Sequence, residues 1–377
     1  MSKTTPVRLL LPLALLFALA QAAAAQAPSD PRRALTSMPD SQAVLYLNAR
    51  RIISEVLPKL MPPADYQEML ADAQKFGFDV RGIESVAVGA RLADPAPANG
   101  LPEFVVFIRG NFNADTLLAL GRVAAGAQNV RARSETYGSK TIEIVDLQAF
   151  SSPPDGAAAG ADAPKPSQMP YPEIAVTALD SSTLVAGVPS YVRAAVDAAG
   201  GRGVLKSTLV ELAAREPQSL WSLTVETPPD LYGHLRKFGA PASEEAEQML
   251  GWVKQLSLAQ GMDALNYTLS ATVLTDAPEH ASAFSGLVRM GLLAAQSALS
   301  AEAAKQTPTH KDYRRTRAAL DTIKTFVNRT EGNTLILKAT ASQAAVAEFV
   351  KQEFAPAKPA ARPKPKAAAP RRRGRRR

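Results

Sequence analysis

Histidine and cysteine, two residue types that often bind metals or take part in catalysis, are rare or absent in this chain. Its 377 residues contain three histidines, His234, His280 and His310, and no cysteine. Each histidine stands alone in its segment, without the spacing that places two ligands on one helix face. The acidic residues do not follow the spacing of a calcium loop. The sequence therefore predicts no metal site, and we expect the histidines to be solvated or bonded to near neighbours.

Motifs for covalent catalysis and nucleotide binding are not found. The sequence contains neither GxSxG nor SxxK, and it contains no GxGxxG or GxxxxGK[ST] loop. The glycine-rich stretch 200–203 follows a predicted helix, so a helix C-cap explains it better than a phosphate site. Paired carboxylates for glycoside hydrolysis need not be adjacent in sequence, so spacing does not reveal them. We predict no cofactor. No motif supports an enzymatic activity, and the sequence does not exclude one.

The most strongly charged stretch is the C-terminal tail, residues 355–377. Its Ala, Pro and Lys residues favour an extended, solvated chain. The candidate polyanion-binding residues are the six arginines that end it: Arg371, Arg372, Arg373, Arg375, Arg376 and Arg377. Two interpretations stay open: attachment to an anionic surface of lipid headgroups or acidic polysaccharide, or a tail that only increases solubility. The tail has no aromatic residues to stack on bases, which argues against nucleic acid.

The formal net charge of +8 comes from this tail and not from the body of the chain. Ten basic residues and no acidic one lie from Lys358 onward, and Lys3 and Arg8 add two near the N-terminus. The remainder has 31 basic and 35 acidic residues, a net charge of about −4. We therefore expect a mildly acidic folded body with a separate cationic extension.

Residues 1–27 have the composition of a secretory signal peptide. Lys3 and Arg8 precede or flank the apolar segment 9–20, and small residues follow up to Ala27. The apolar segment is shorter than the ~20 residues of a membrane span, so we expect cleavage near Ala25 or Ala27. Without cysteine, lipidation at that point is excluded. We expect an exported protein, either periplasmic or extracellular.

A hairpin followed by a helix occurs twice along the chain. Residues 174–188 hold two apolar runs around the turn Asp180-Ser181-Ser182, and apolar residues at helical spacing follow. Residues 323–354 repeat this pattern, with strands at 324–329 and 334–339 and a closing helix. The sequence therefore predicts an α+β fold of two related modules. Each has an antiparallel sheet with helices packed on it and ends in this unit.

We divide the chain into four segments. Residues 1–27 are the signal peptide, 28–205 the first module, 206–354 the second module and 355–377 a disordered basic tail. Within the first module, residues 148–172 are rich in Ala, Pro, Gly and Ser and predict a flexible insertion. Two unrelated α+β segments with a similar order of elements are the alternative to a duplication.

Finer assignments follow from the same periodicity. Residues 262–274 predict one long strand, and the helix that begins at Ser243 is expected to reach Leu256. Asn48, Ser207 and Asp276 are expected to cap the helices that follow them. In the hairpin 130–147 charged and apolar residues alternate, which predicts one solvated face.

Three stretches carry a resemblance to known proteins: PDSQAVLYLN (39–48), YGSKTIEIVD (137–146) and IAVTALDSSTLVAGVPSYVRAAVDA (174–198). They resemble exported bacterial proteins that are grouped as domains of unknown function. The resemblance spans most of the mature chain. It implies an exported α+β protein with repeated hairpin-helix units, and it supplies no catalytic residue.

The function that we expect is non-enzymatic binding or scaffolding in the bacterial cell envelope. The alternative is a hydrolase of envelope polymers that acts through carboxylates the sequence does not single out. A cleft with two or three converging polar side chains of shifted pKa would favour the enzyme. An apolar groove without such a cluster would favour a binding protein.

Overall fold

The computed structural model describes residues 30–75, 79–92, 101–127, 130–147, 171–228, 236, 243–307 and 311–347. The predicted signal peptide, residues 148–170 of the predicted insertion and the basic tail lie outside these residues. So do His234 and His310.

The first half of the chain begins with helices and three strands and ends with the predicted hairpin and helix. Its described elements are α1 (Pro31–Leu35), β1 (Ala43–Leu47), α2 (Ala49–Arg51, continued by a π-helical turn, Ile52–Val56, and by Leu57–Leu60), α3 (Pro63–Lys75), a 3₁₀ turn (Val80–Gly82), β2 (Ile83–Arg91), β3 (Glu103–Gly110), α4 (Ala114–Ala127), β4 (Ala132–Tyr137), β5 (Lys140–Asp146), β6 (Glu173–Asp180), β7 (Thr183–Gly187) and α5 (Pro189–Ala199). Asn48 caps α2 as predicted, because its side-chain oxygen accepts a hydrogen bond from the Arg51 backbone N–H at 3.2 Å.

The second half follows a similar order, without a described counterpart of β4 and β5 and with a much longer helix, of 28 residues, at the place of α4. Its described elements are α6 (Ser207–Ala213), β8 (Ser219–Glu226), α7 (Glu244–Trp252), β9 (Val253–Met262), β10 (Asn266–Thr275), α8 (Pro278–Lys305), α9 (Lys311–Lys324), β11 (Val327–Glu331) and β12 (Thr334–Ser342). Residues 343–347 are helical and directly follow β12, as the predicted closing helix requires. Among the described helices, none is both long and apolar enough to cross a membrane.

The described strands form one antiparallel sheet in the order β11-β12-β10-β9-β8-β1-β2-β3-β7-β6-β5-β4. Read outward from the centre, the first half gives β1, β2, β3 and the hairpin β7–β6, and the second gives β8, β9, β10 and the hairpin β12–β11. The two closing hairpins therefore occupy equivalent positions, and the first half adds β4–β5 beyond its own. The predicted α+β fold of two related modules is confirmed. The domain boundaries stay a prediction.

The two halves join edge to edge, which the sequence did not indicate. β1 pairs with β8 in antiparallel register, with Leu45 opposite Leu223. The backbone hydrogen bonds of this pair satisfy two strand edges that would otherwise attract other chains. The two predicted sheets are therefore a single continuous sheet.

The main hydrophobic core lies on one face of the sheet, here called face A. Strand residues such as Val105, Val185 and Ile144 are fully buried there, beneath Tyr191 of α5 and Leu209 of α6. Alternate strand residues point to the opposite face, face B. Face B carries α4 in the first half and α8 in the second half, so the two helices hold equivalent places.

The side-chain contacts of α8 fix its position on face B. The Ser285 hydroxyl donates to Asn328 Oδ1 at 2.8 Å, and Asn328 Nδ2 donates to the Ser285 carbonyl at 2.8 Å. Asn328 lies opposite Leu337, which lies opposite Ala271. Opposed residues of an antiparallel pair share a face. The row continues strand by strand to Val106 of β3, which alternates with the face-A residue Val105, so it belongs to face B.

Two predicted element boundaries in the second half are wrong. Residues 262–274 form two strands, because the Asp263 carboxylate accepts hydrogen bonds from the N–H groups of Leu265 (2.8 Å) and Asn266 (2.7 Å) and closes a turn. The helix α7 ends at Trp252 instead of Leu256, since the chain becomes β9 at Val253. The side-chain spacing there also fits a strand.

Three further assignments are corrected. The strand predicted at 324–329 begins at Val327, because α9 continues to Lys324. Ser207 is the first residue of α6, and Lys206 occupies the N-cap position without a side-chain bond. Ala277 is the N-cap residue of α8, and Asp276 instead contacts His280.

Candidate functional site

The site residues named from the sequence are only partly described. The six C-terminal arginines, His234 and His310 lie outside the described residues. His280 lies in the first turn of α8, with Nδ1 2.6 Å from Asp276 Oδ1 and its ring stacked on Trp252 at 4.0 Å. Its contacts are local, as expected, and the hydrogen bond from His280 lowers the pKa of Asp276. Within the described residues, no group of three His, Asp or Glu side chains could hold a metal ion.

Helix α4 and the sheet form a partly open space that sequence reasoning missed. The Asn113 side chain accepts a hydrogen bond from the Thr116 N–H at 2.9 Å and caps the helix. The Ala114 N–H donates to the Ser181 carbonyl at 2.8 Å, which ties the start of α4 to the β6–β7 turn. From this point α4 runs across face B, over the strands of the outer half of the first module.

The space between α4 and the sheet is an apolar cavity of about 160 Å³. Its apolar walls are Leu117 and Leu118 of α4 and Val145, Val176 and Leu184 of the sheet. The facing positions Gly121, Ala125 and Ala132 are small. They leave the volume between helix and sheet unfilled, whereas protein interiors are normally close-packed. We call this space the α4 cavity.

One carboxylate lies in the wall of the α4 cavity. Glu143 of β5 is 5 % exposed, and its Oε2 accepts a hydrogen bond from the Ser134 hydroxyl at 2.7 Å. Its Oε1 has no hydrogen-bond donor among the described residues. Arg122 Nη1 lies 3.5 Å from Oε1 and balances its charge, while half of the Arg122 side chain stays in solvent.

The predicted solvated face of the hairpin 130–147 is wrong for Glu143. Ile142 and Ile144 point to face A and are fully buried, as the alternation predicts. Glu143 points to face B, which α4 covers, so this side chain is buried as well. Periodicity gives the face on which a residue lies but not what covers that face. The only sign of this burial in the sequence is the position of Glu143 between two isoleucines.

A second, polar cleft lies beside α5, with a volume of about 240 Å³. Its charged lining residues are Asp40, Arg91, Asp197 and Arg202. Three of these are already paired: Arg202 contacts Asp197 at 2.5 Å, and Arg91 contacts Glu103 at 2.8 Å. The other Asp197 oxygen accepts a hydrogen bond from Tyr137 at 3.0 Å. The cleft is therefore charged but largely self-neutralised.

Tyr191 contacts two residues that line this cleft, Asp40 and Arg91. Its hydroxyl donates to the Asp40 carbonyl at 2.9 Å and lies 2.5 Å from the Ser41 hydroxyl. Arg91 lies over its ring, 4.3 Å from the ring centroid. Burial raises the pKa of Tyr191 to about 12, because the phenolate form would lose its hydration.

We expect this shift to make stability fall at alkaline pH. A folded-state pKa above the unfolded value of about 10 means that the unfolded chain loses this proton first. The raised pKa of Tyr191 stabilises the folded state in full below about pH 10. This stabilisation, about 3 kcal/mol in total, is lost as the pH rises towards 12. Urea unfolding from pH 8 to 11 measures it. Y191F is expected to be less stable at pH 8 by about 1 kcal/mol and to show a flatter alkaline decline. An equally steep decline in Y191F would contradict the assignment.

Comparisons with known proteins give a general likeness only. No protein-family model matches the sequence, and no curated protein matches it. Crystal form III of TP0453 aligns with a TM-score of 0.41 and 10% identity, over 84% of this chain and 97% of that chain. Crystal form IV of TP0453 aligns with a TM-score of 0.41 and 11% identity, over 86% and 97%. A function for this chain therefore has to be inferred from its own structure.

Proposed function

We propose that this chain is an exported, non-enzymatic binding protein of the bacterial cell envelope. It holds a small apolar ligand in the α4 cavity. The observation that carries this proposal is the cavity itself, a largely apolar space between a helix and a sheet whose charged wall groups are Glu143 and its partner Arg122. Ligand pockets have this composition, with apolar walls and few oriented polar groups.

The energetics of the cavity favour occupation by an apolar molecule. The cavity is partly open to solvent, and each Å² of its apolar walls that a ligand covers contributes about 25 cal/mol. An apolar cavity of about this size in a protein core accepts a benzene-sized molecule. A ligand of one ring would restore the missing contacts and remove its own apolar surface from water.

The polar cleft offers weaker support for the alternative function, hydrolysis of an envelope polymer. Its two carboxylates, Asp40 and Asp197, line one space. Both oxygens of Asp197 are engaged, one by Arg202 and one by Tyr137. Binding is therefore the better supported function.

The cationic tail supplies attachment in this proposal. Ten basic residues lie from Lys358 onward, next to a body of net charge about −4. The tail holds the protein at an anionic surface, lipid headgroups or acidic polysaccharide, while the α4 cavity takes the ligand. The binding protein is thereby concentrated where envelope components are found.

We expect toluene to bind the α4 cavity and raise the thermal stability of the protein. The matched variants are A125L, which places a leucine in the cavity wall, and A119L, which makes the same change at an exposed position of α4. A125L should lose toluene binding by at least about tenfold, since its side chain fills the space, and A119L should keep it. Calorimetric titration measures the affinity, and circular dichroism checks the fold. Equal binding by A125L and the unsubstituted chain, or none by either, would disprove the site.

A further inference from the structure

Glu143 gives the α4 cavity a specific hydrogen-bonding requirement. Oε2 of this carboxylate has a donor, Ser134, while Oε1 has an ion pair but no hydrogen-bond donor among the described residues. A buried acceptor without a donor destabilises the folded state, and more so when it is charged. Because Glu143 lines the cavity, a ligand can supply a donor where the protein does not.

The charge balance limits which ligand is favoured. Arg122 Nη1 lies 3.5 Å from Glu143 Oε1, so the carboxylate charge is already opposed by a guanidinium group. A cationic ligand would have to compete with Arg122 for this oxygen. An anionic ligand would be repelled by a carboxylate that is 5 % exposed. A neutral molecule with an O–H or N–H donor meets neither penalty.

The volume and walls limit the size and shape of the ligand. About 160 Å³ accommodates roughly one ring. Leu117, Leu118 and Val176 form apolar walls around it, so the remainder of the ligand has to be apolar. The ligand therefore combines one hydrogen-bond donor with a body of about one ring.

We propose that the α4 cavity binds neutral, single-ring molecules that carry one hydrogen-bond donor, with Glu143 Oε1 as the acceptor. This inference rests on the proposed function, because it requires that the cavity binds small apolar ligands at all. Phenol is the probe for this class, and toluene is a probe of similar size without a donor.

The first experiment compares phenol with toluene by calorimetric titration in the unsubstituted protein, E143Q and E143L. Phenol is expected to bind about tenfold more tightly than toluene to the unsubstituted protein, since its bond is made to a charged acceptor. E143L should lose this preference and still bind toluene. E143Q, which keeps an acceptor oxygen, should retain a smaller preference. E143L is expected to fold, because Ser134 and Arg122 are exposed enough to be hydrated.

Two results would overturn the inference: equal affinity for phenol and toluene in the unsubstituted protein, or a preference for phenol that persists in E143L. In both cases toluene binding shows that the proposed function survives. If neither probe binds the unsubstituted protein, the proposed function fails, and this inference fails with it.

The second experiment tests the charge balance. R122Q leaves the Glu143 carboxylate without its guanidinium partner. Protonated benzylamine is then expected to bind R122Q about tenfold more tightly than the unsubstituted protein, because the carboxylate now lacks a cation. An unchanged affinity for benzylamine would show that Arg122 does not set the preference for neutral ligands, which overturns that part of the inference.

Discussion

Replacing Gly187 by alanine is expected to lower the free energy of unfolding by about 3 kcal/mol, because the new methyl group has no room. Gly187 ends β7 and lies opposite Val105 of β3. A Cβ atom at this position would lie 2.3 Å from the Phe104 carbonyl oxygen and 2.8 Å from Val105 Cα. Both are backbone atoms of the neighbouring strand, so the clash is relieved only if β3 and β7 separate. The midpoint of urea unfolding measures the loss.

The matched control is G286A in α8. An added Cβ at Gly286 meets no atom within 4 Å, and alanine is favoured over glycine in a helix by about 0.5–1 kcal/mol. G286A should therefore be slightly more stable than the unsubstituted protein. A stability of G187A equal to that of G286A would mean that the close approach of β3 and β7 is not present in solution.

Removing the tail after Phe354 is expected to abolish binding to an anionic surface while the body stays folded. Each Lys or Arg near such a surface contributes about 1 kcal/mol of attraction, and the tail holds ten without an acidic residue. The attraction should weaken as the screening length falls from ~10 Å at 0.1 M salt to ~3 Å at 1 M. Co-sedimentation with anionic vesicles across a salt series measures it, and an acidic polysaccharide in parallel distinguishes the two sources of charge.

A variant with the six terminal arginines (371–373 and 375–377) replaced by glutamine provides the charge control. It keeps the length of the tail, so a loss of binding can be assigned to charge. Vesicles of zwitterionic lipid should not be bound at any salt concentration. Equal binding by the full and the truncated chain, or binding that does not change with salt, would leave the tail as a solubilising extension.

The α4 cavity and the tail divide the proposed function between two parts of the chain. The cavity depends on small residues, Gly121 and Ala125, at positions where α4 faces the sheet. The tail depends only on composition, because a run of cationic residues needs no fixed geometry to attract a polyanion. Variants of one part should therefore leave the other unchanged, and A125L should still bind anionic vesicles.

The sequence by itself determined the local elements and their order. Apolar alternation around Asp180-Ser181-Ser182 and helical spacing after Val188 specify a hairpin and a helix within a few residues of each other. These features depend on backbone preferences and on the side-chain period of each element. For the same reason the repeat of the unit at residues 323–354 could be predicted. The boundaries at Met262 and Trp252 were misplaced, because turn and helix signals there compete with strand periodicity.

Only the tertiary structure decided how these elements meet. The pairing of β1 with β8 joins strands from opposite halves of the chain. The residue pattern of neither strand indicates which strand it pairs with. The burial of Glu143 depends on α4, a separate helix that crosses face B. The alternation of the strand predicts that Glu143 and Ile144 point to opposite faces. Both faces are covered at this strand, since Ile144 is fully buried on face A and Glu143 lies beneath α4 on face B. The candidate site is therefore a product of packing between distant segments, which local periodicity does not encode.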